Sequence, residues 1–289
     1  MWKEEFKRNF FNIRTVIIIV VLIFLGIMSF FYSFQEKNVF KEMLVEQPED
    51  VNLDRVEEVI EGLNGIQFNI NYILQSDFFE IYVIILLLFC GIFLSSRIRE
   101  MVDNGQINYI LPRVSYKKYA KNLFVSQSLY IVVIVSISIL ISFLIGYVVG
   151  GIGNGLGSIG DYSFGFAIFI GITIIQILLT SLFMILVNGI SLFLSVYIKK
   201  KLVIQCLPFF IFLLLPLVIS STIGNLFYSV GTITSYFVPF QNLKGIYWLL
   251  QYYFYILYIL AEIVPYTTYT VVLFVIYKKN IKHFSEDCI

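Results

Sequence analysis

The chain has 289 residues, of which 59% are hydrophobic and 13% are charged, with a net charge of +1. A soluble domain carries about 25% charged residues, so this composition excludes a globule whose whole surface faces water. A lipid bilayer can cover the apolar surface instead. The near-neutral net charge gives no indication of a partner, and the local distribution of charge is more informative.

Six apolar segments are long enough to cross a bilayer, which requires about 20 predominantly apolar residues. The six predicted spans are Val16–Phe34, Phe79–Ser95, Leu123–Val149, Phe166–Val196, Leu202–Ser221 and Ile256–Tyr277. The first is interpreted as a retained span, since the residues that follow it make a poor signal-peptide cleavage site. We therefore expect an all-α integral membrane protein with six transmembrane helices.

The basic residues predict how these spans are oriented. Sixteen of the 20 lysines and arginines fall in four segments, which precede span one, join spans two and three, join spans four and five, and follow span six. All four lie on one side of a six-span arrangement, and basic residues concentrate on the cytoplasmic side. We expect both termini in the cytoplasm, and short basic segments beside spans fit lipid headgroups better than nucleic acid.

Residues 1–14 precede the first span and are predicted to form an amphipathic helix that lies in the membrane interface. Trp2, Phe6, Phe10 and Ile13 recur on one face, while charged residues occupy the other. An ordinary cytoplasmic stub is the alternative interpretation.

The acidic segment 35–78 is expected to form an extracellular loop. Within it, Asn52–Leu63 has the pattern of a short amphipathic helix that Gly62 and Gly65 would end. The loop is interpreted either as a packed extracellular cap or as a small subdomain that meets substrate or a partner.

Two further outer segments stand out. Gly150–Gly160 contains Gly155-x-Gly157-x-x-Gly160, which matches a dinucleotide-binding pattern but joins two spans on the outer side, so we interpret its glycines as a flexible turn. The segment 222–255 is rich in aromatic residues, which concentrate at membrane boundaries. It predicts a re-entrant or interfacial helix before the last span, provided that protein covers its non-helical backbone.

Residues typical of catalysis are scarce. The chain has one histidine, three scattered cysteines and no G-x-x-x-x-G-K-[ST] sequence, so we expect no metal site and no ATP hydrolysis by this chain. Glu262 lies within the last span, and an intramembrane acid is a functional candidate by default; a water-accessible residue at the outer rim is the alternative. Asn188 and Gln205 are polar residues in spans, which more often hydrogen-bond between helices than contact a substrate.

The cytoplasmic loop 96–122 predicts a short helix or a pair of helices, interrupted near Gly105 and stopped by Pro112. Ser115 is placed to cap a further helix that leads into span three. Two spans hold this loop against the membrane. A movement of a soluble partner bound to the loop would therefore be transmitted to the spans. A plain basic loop that only sets the orientation is the alternative.

In this loop the chain resembles the permeases of type-2 ABC transporters, which often carry E-x-x-x-G-x-x-x-x-L-x-x-P-x-S-(K/R)-x-x-Y/F-x-x-x-K. The matching residues are Glu100, Gly105, Leu111, Pro112, Ser115, Lys117 and Lys121. The Glu–Gly and Pro–Ser intervals are each one residue longer than in that form, and Gln106 replaces the usual threonine. Six spans with both ends inside and an N-terminal amphipathic helix add to the resemblance.

The resemblance implies a complex of two permease subunits, identical or paired with a paralogue, above two copies of a separate ABC ATPase subunit. ATP and magnesium would bind in that ATPase, and no cofactor is expected in this chain. Arg99–Leu111 would be the coupling helix seated in a cleft of the ATPase, and residues 1–14 the connecting helix. The residues expected at or near the ATPase contact are Glu100, Gly105, Ile107, Tyr109, Ile110, Leu111, Pro112 and Ser115.

The transport pathway would lie at the permease interface, with Glu262, Gln205 and Asn188 as candidate lining residues. The whole chain, 1–289, is then a single permease domain of a bacterial exporter in the plasma membrane. Spans two and five are the expected lining of the pathway, and few charged residues occur in them, which suits an amphipathic or hydrophobic cargo such as a peptide or an antibiotic. Two other classes remain open: an ion-coupled secondary carrier that uses Glu262, and a non-transporting immunity or sensor subunit.

Overall fold

The described part of the chain is almost entirely helical. The structure is a computed structural model that describes residues 2–46, 64–74, 76–110, 112–151, 156–159, 162–195, 197–198 and 200–210, and positions 267, 271, 272 and 275. The elements in chain order are α1 (Trp2–Phe10), α2 (Ile13–Glu46), α3 (Gly65–Leu74), α4 (Asp77–Phe89), a π-helix (Cys90–Ser95), α5 (Arg97–Asp103), α6 (Ile107–Ile110), α7 (Tyr116–Gly150), β1 (Leu156–Ile159), β2 (Tyr162–Gly165), α8 (Phe166–Leu194) and α9 (Lys201–Phe209).

Four helical stretches in these ranges are long and apolar enough to cross a membrane. They are Ile13–Val39, Asp77–Asp103, Lys118–Gly150 and Phe166–Leu194. The first four predicted spans are therefore confirmed as apolar helices of sufficient length. The fifth predicted span begins with α9, whereas the rest of it, the segment 222–255 and most of the sixth span lie outside the described residues.

The N-terminal helix is shorter than predicted and ends at Phe10. Asn12 lies between α1 and α2. Its side-chain oxygen accepts a hydrogen bond from the backbone N–H of Arg14 at 3.1 Å, as residues at the start of a helix commonly do. Phe6 and Phe10 stack with ring centroids 5.7 Å apart and pack against the main core. The apolar face of α1 is thus covered partly by protein, and Ile13 belongs to α2.

The main core forms around α7, which packs against α1, α2, α3 and α8. Large apolar side chains fill it, with Leu22, Phe30 and Ile134 fully buried. Tyr82 is also fully buried, and its hydroxyl lies 2.7 Å from the Ser138 hydroxyl. This hydrogen bond ties α4 to the middle of α7.

The segment 35–78 contains more helix than the sequence indicated. Helix α2 continues to Glu46, and α3 is buried against α7 and α2. Gly65 begins α3, whereas the helix that it was expected to end lies outside the described residues. A Cβ atom at this position would lie 2.7 Å from the carbonyl oxygen of Gly151, so the close approach of the α7 end requires glycine. Gly62 and the predicted helix Asn52–Leu63 lie outside the described residues.

The glycine-rich connection between α7 and α8 includes a short β-hairpin. Strands β1 and β2 pair antiparallel, with Leu156 opposite Gly165 and Ile159 opposite Tyr162. The hairpin contacts α3, and the side chain of Asn64 donates a hydrogen bond to the carbonyl of Leu156. A hairpin differs from the strand, turn and helix in which the dinucleotide pattern operates.

Candidate functional site

The loop 96–122, for which a short helix or a pair of helices was predicted, contains a pair, α5 and α6. Gly105 lies between them with a positive φ of 66°, a conformation that glycine adopts without steric cost. The predicted interruption near Gly105 is confirmed. Pro112 follows α6 in a turn, and Ser115 occupies the position before α7, although its hydroxyl makes no capping hydrogen bond.

A small apolar cluster holds this loop against the bundle, and we call it the loop cluster. Its buried members are Ile98, Met101, Ile107, Tyr119, Ala120, Leu123 and Leu192. The hydroxyl of Tyr119 on α7 lies 2.6 Å from the sulfur of Met101 on α5. Because these residues come from α5, α6, α7 and α8, the loop is packed onto two of the long helices.

The other face of the loop is open to solvent. Tyr109 is 80% exposed, and its neighbours Asn108, Gln106 and Pro112 are exposed as well. Ile107, which the sequence placed at the same contact, is instead buried in the loop cluster at 3% exposure. Consecutive residues of α6 therefore divide between an anchoring face and a free face.

The remaining residues expected at this contact differ in their surroundings. Ile110 and Gly105 are half-buried, and Ser115 is exposed. Leu111 lies outside the described residues.

Glu100 forms the polar anchor of the loop. Its carboxylate lies 2.9 Å from the ammonium of Lys201, at the start of α9, and 3.6 Å from the guanidinium of Arg97. The hydroxyl of Ser96 donates to the same carboxylate at 3.2 Å. The side chain of Glu100 is only 26% exposed, so it is directed towards α9. This ion pair was not predicted from the sequence, although both residues belong to segments predicted on the same side.

We call the end of the bundle formed by α1, α5, α6 and the first turns of α7 and α9 the basic end. Three of the four basic segments in the sequence meet there. Arg8 and Arg97 line one cavity, Lys201 pairs with Glu100, and Lys118 and Lys121 lie on the first turns of α7. The fourth segment lies outside the described residues.

A polar network connects the π-helix to its neighbours. In a π-helix the backbone pairing departs from the α pattern, and side chains from adjacent helices here bind its carbonyl groups. The Gln127 amide donates to the carbonyl of Leu94 at 3.0 Å, and the Gln205 amide donates to that of Ile92 at 3.3 Å. Asn188 donates in turn to the Gln127 side chain at 3.1 Å. The structure thus links Gln205 directly, and Asn188 through Gln127, to carbonyl groups of one π-helix.

These contacts support the interpretation of Asn188 and Gln205 as residues that bind helices together. The third candidate lining residue, Glu262, lies outside the described residues. In the described ranges, no group of three or more histidine, cysteine, aspartate or glutamate side chains is arranged to hold a metal ion.

We expect the Asn188–Gln127 hydrogen bond to contribute about 1 kcal/mol to the free energy of unfolding, the magnitude typical of such bonds between membrane helices. The measurement is a double-mutant cycle with Asn188→Leu and Gln127→Leu, each unfolded reversibly in mixed micelles. A coupling free energy indistinguishable from zero would show that the two amides stabilise the fold independently.

Gln176 provides the matched control for this cycle. It is also fully buried on α8, but neither atom of its side-chain amide has a hydrogen-bond partner in the described ranges. Gln176→Leu removes an unpaired polar group, and should therefore leave the free energy of unfolding unchanged or raise it.

Comparisons with protein-family models, with curated proteins and with solved structures found no match to this chain. Its function is therefore inferred from its own residues and their arrangement.

Proposed function

We propose that this chain is the membrane-spanning permease subunit of a bacterial ABC exporter. In this proposal it crosses the plasma membrane six times with both termini in the cytoplasm, and has a re-entrant or interfacial helix before the last span. It pairs with a second copy or a paralogue and is driven by two copies of a separate ATPase subunit. The cargo is an amphipathic or hydrophobic molecule such as a peptide or an antibiotic.

The loop from α5 to α6 is the observation that carries the proposal. Its inner face is fixed by the loop cluster to α7 and α8, and Glu100 links it to Lys201 on α9. Its outer face presents Asn108 and Tyr109 to solvent. A force applied to Tyr109 by a soluble partner would reach three helices through packed contacts, which is what coupling to a separate motor requires.

The arrangement of the basic end supports the proposed orientation. The N-terminus, the loop 96–122 and the start of α9 meet there through the Glu100–Lys201 ion pair and the cavity that Arg8 and Arg97 share. These segments would all face the cytoplasm in the six-span arrangement, since basic residues favour that side. A cytoplasmic ATPase would then have access to both α1 and the loop tip.

The energy source is assigned to another subunit because the sequence contains no phosphate-binding G-x-x-x-x-G-K-[ST] loop. ATP and magnesium accordingly belong to the partner ATPase in this proposal. Glu262, on which an ion-coupled carrier would depend, lies outside the described residues, and no contact in the described ranges favours that alternative.

Tyr109→Ala tests the coupling role directly. Tyrosines at the centre of protein interfaces can contribute 2 kcal/mol or more to binding, so we expect this variant to lose about tenfold or more in co-purification with the proposed ATPase subunit. ATP-driven flux in reconstituted vesicles should fall in parallel. The fold should be retained, because the Tyr109 side chain is 80% exposed.

Tyr197→Ala is the matched control, since Tyr197 is 56% exposed just after α8 and lies outside the loop. It should bind the ATPase like the native chain. Undiminished binding and flux both in Tyr109→Ala and in a chain that lacks residues 105–111 would refute the coupling role. The cargo is tested separately: deletion of the permease should alter cellular sensitivity to, or secretion of, hydrophobic peptides or antibiotics.

A further inference from the structure

A cavity of about 150 Å³ lies at the basic end, where the turn between α1 and α2 meets the π-helix, α5 and α7. Its walls carry more positive than negative side chains. The charged and amide residues that line it are Arg8, Asn9, Asn12, Arg14, Arg97 and Glu100. Three guanidinium groups from three separate elements therefore converge on a space that contains one carboxylate.

That carboxylate does not neutralise the cavity. Glu100 already pairs with Lys201 at 2.9 Å and lies 3.6 Å from Arg97. The Nε atom of Arg97 is buried and has no hydrogen-bond partner in the described ranges. Arg14 lies over the ring of Phe93, with 5.3 Å between the guanidinium carbon and the ring centroid, and has no carboxylate partner among the described residues. Arg8 is paired with Glu5 on its own helix. The positive charge left in the cavity therefore comes from Arg14 and Arg97, and the Nε atom of Arg97 remains an unused donor.

We infer that this cavity binds the phosphate group of an acidic phospholipid. Arginine is well suited to phosphate, because its planar fork of N–H donors matches two phosphate oxygens at once. Phosphate oxygens would supply the acceptors that Arg97 lacks and the negative charge that Arg14 lacks. A volume of about 150 Å³ equals roughly five liquid water molecules, which suits a phosphate group with its ester carbons but excludes the acyl chains.

The surroundings favour a lipid over free phosphate. Beside the cavity, the turn and the start of α2 expose large apolar side chains, with Phe11 80%, Ile13 70% and Ile17 56% exposed. The first of the four membrane-spanning stretches begins at Ile13. Arg14 is therefore at the level where headgroups meet the apolar layer, with a surface for acyl chains directly alongside. This inference does not depend on the proposed transport function.

The test uses the full chain purified in detergent and native mass spectrometry. Phosphatidylglycerol is titrated against phosphatidylcholine, and glycerol 3-phosphate is titrated separately as the soluble source of the same chemistry. We expect one phosphatidylglycerol to bind per chain at least tenfold more tightly than phosphatidylcholine. Glycerol 3-phosphate should bind far more weakly, because it lacks the acyl chains.

Substitutions then place the lipid in the cavity. Arg14→Gln and Arg97→Gln should each weaken phosphatidylglycerol binding about fivefold, the effect expected from one basic residue near an anionic headgroup. Arg113→Gln is the matched control: Arg113 is also exposed near the basic end but does not line the cavity, and its loss should leave the affinity unchanged. Arg14→Lys keeps the charge but lacks the planar fork of donors. Its affinity for phosphatidylglycerol should therefore lie between those of the native chain and Arg14→Gln.

Three outcomes would overturn the inference. Equal affinity for phosphatidylglycerol and phosphatidylcholine in the native chain would exclude an acidic-lipid site, and this comparison requires no variant to fold. Glycerol 3-phosphate that binds as tightly as phosphatidylglycerol would assign the cavity to a soluble phosphate. Equal losses in Arg14→Gln and Arg113→Gln would show general surface attraction instead of a defined site.

Discussion

Gly91→Ala is expected to force α9 away from the π-helix and to lower the free energy of unfolding by about 3 kcal/mol. A Cβ atom at Gly91 would lie 2.1 Å from the carbonyl oxygen of Gln205 and 3.2 Å from its carbonyl carbon. Both are backbone atoms, so no side-chain rotation can relieve the overlap. Overpacking of this kind typically costs about 1–3 kcal/mol, and the displacement would also break the hydrogen bond from Gln205 to Ile92.

Gly171→Ala is the control for that substitution. Gly171 also lies in a helix long and apolar enough to cross a membrane, but a Cβ atom there would meet nothing within 4 Å. Alanine is favoured over glycine in helices by about 1 kcal/mol, so this variant should be at least as stable as the native chain. Both variants are heated in detergent, and the measurement is the midpoint temperature at which half of the monodisperse protein is lost. Equal midpoints for the two variants would contradict the close packing of α9 on the π-helix.

The positions of the four helices that are long and apolar enough to cross a membrane could be predicted from the sequence, because an uninterrupted run of about 20 apolar residues is itself the signal of such a segment. The ends of these helices were predicted less accurately. Helix α2 begins at Ile13, before the predicted Val16, and extends past Phe34 to Glu46. Hydropathy detects the apolar part of a helix, whereas backbone hydrogen bonding continues through residues such as Glu36 and Lys41, which favour helix.

The buried helix α3 could not be predicted from its composition. Its sequence contains Gln67, Asn69 and Asn71, which read as part of a polar outer loop. In the structure the amide donors of Gln67 and Asn69 find partners: Gln67 donates to Asn71 at 2.9 Å, and Asn69 donates to the carbonyl of Phe143 at 3.2 Å. The side-chain oxygen of Asn69 has no hydrogen-bond partner in the described ranges. Burial of polar side chains is tolerated when they are hydrogen-bonded, but the partner in α7 is distant in sequence and invisible to a local pattern.

The loop 96–122 shows the same division between local and distant signals. Gly105 and Pro112 carried enough local information to predict a broken helix. The sequence also placed Glu100 and Lys201 on the same side of the membrane, but it could not show that they pair. Likewise, the alternation of buried Ile107 and exposed Tyr109 depends on where α7 and α8 pass beneath the loop.

Ile107→Asp is expected to release the loop from the bundle without unfolding the rest of the chain. Ile107 is 3% exposed and packs in the loop cluster beside Met101 and Tyr119. An unpaired carboxylate in that setting costs about 3 kcal/mol or more, which raises the open population of the loop roughly a hundredfold. The main core contains no residue of α5 or α6, so the long helices should stay packed.

Trypsin provides the first measurement. Arg99 lies in α5 with its guanidinium 2.8 Å from the carboxylate of Asp103, and the helix protects the bond that follows it. Opening of the loop should accelerate cleavage after Arg99 by about the same hundredfold. If the proposed function is correct, ATP-driven flux should also fall by more than tenfold, since a detached loop cannot pass force to α7.

Asn108→Asp introduces the same side chain one position later, where the residue is exposed, and therefore controls for charge alone. Trypsin should cleave this variant after Arg99 at the native rate, because its loop should stay packed. Rapid cleavage in both variants would mean that added charge near α6 opens the loop, and native rates in both would mean that Ile107 does not anchor it. Rapid cleavage of Ile107→Asp with unchanged flux would show that Ile107 anchors the loop. It would also show that transport does not depend on the packed loop.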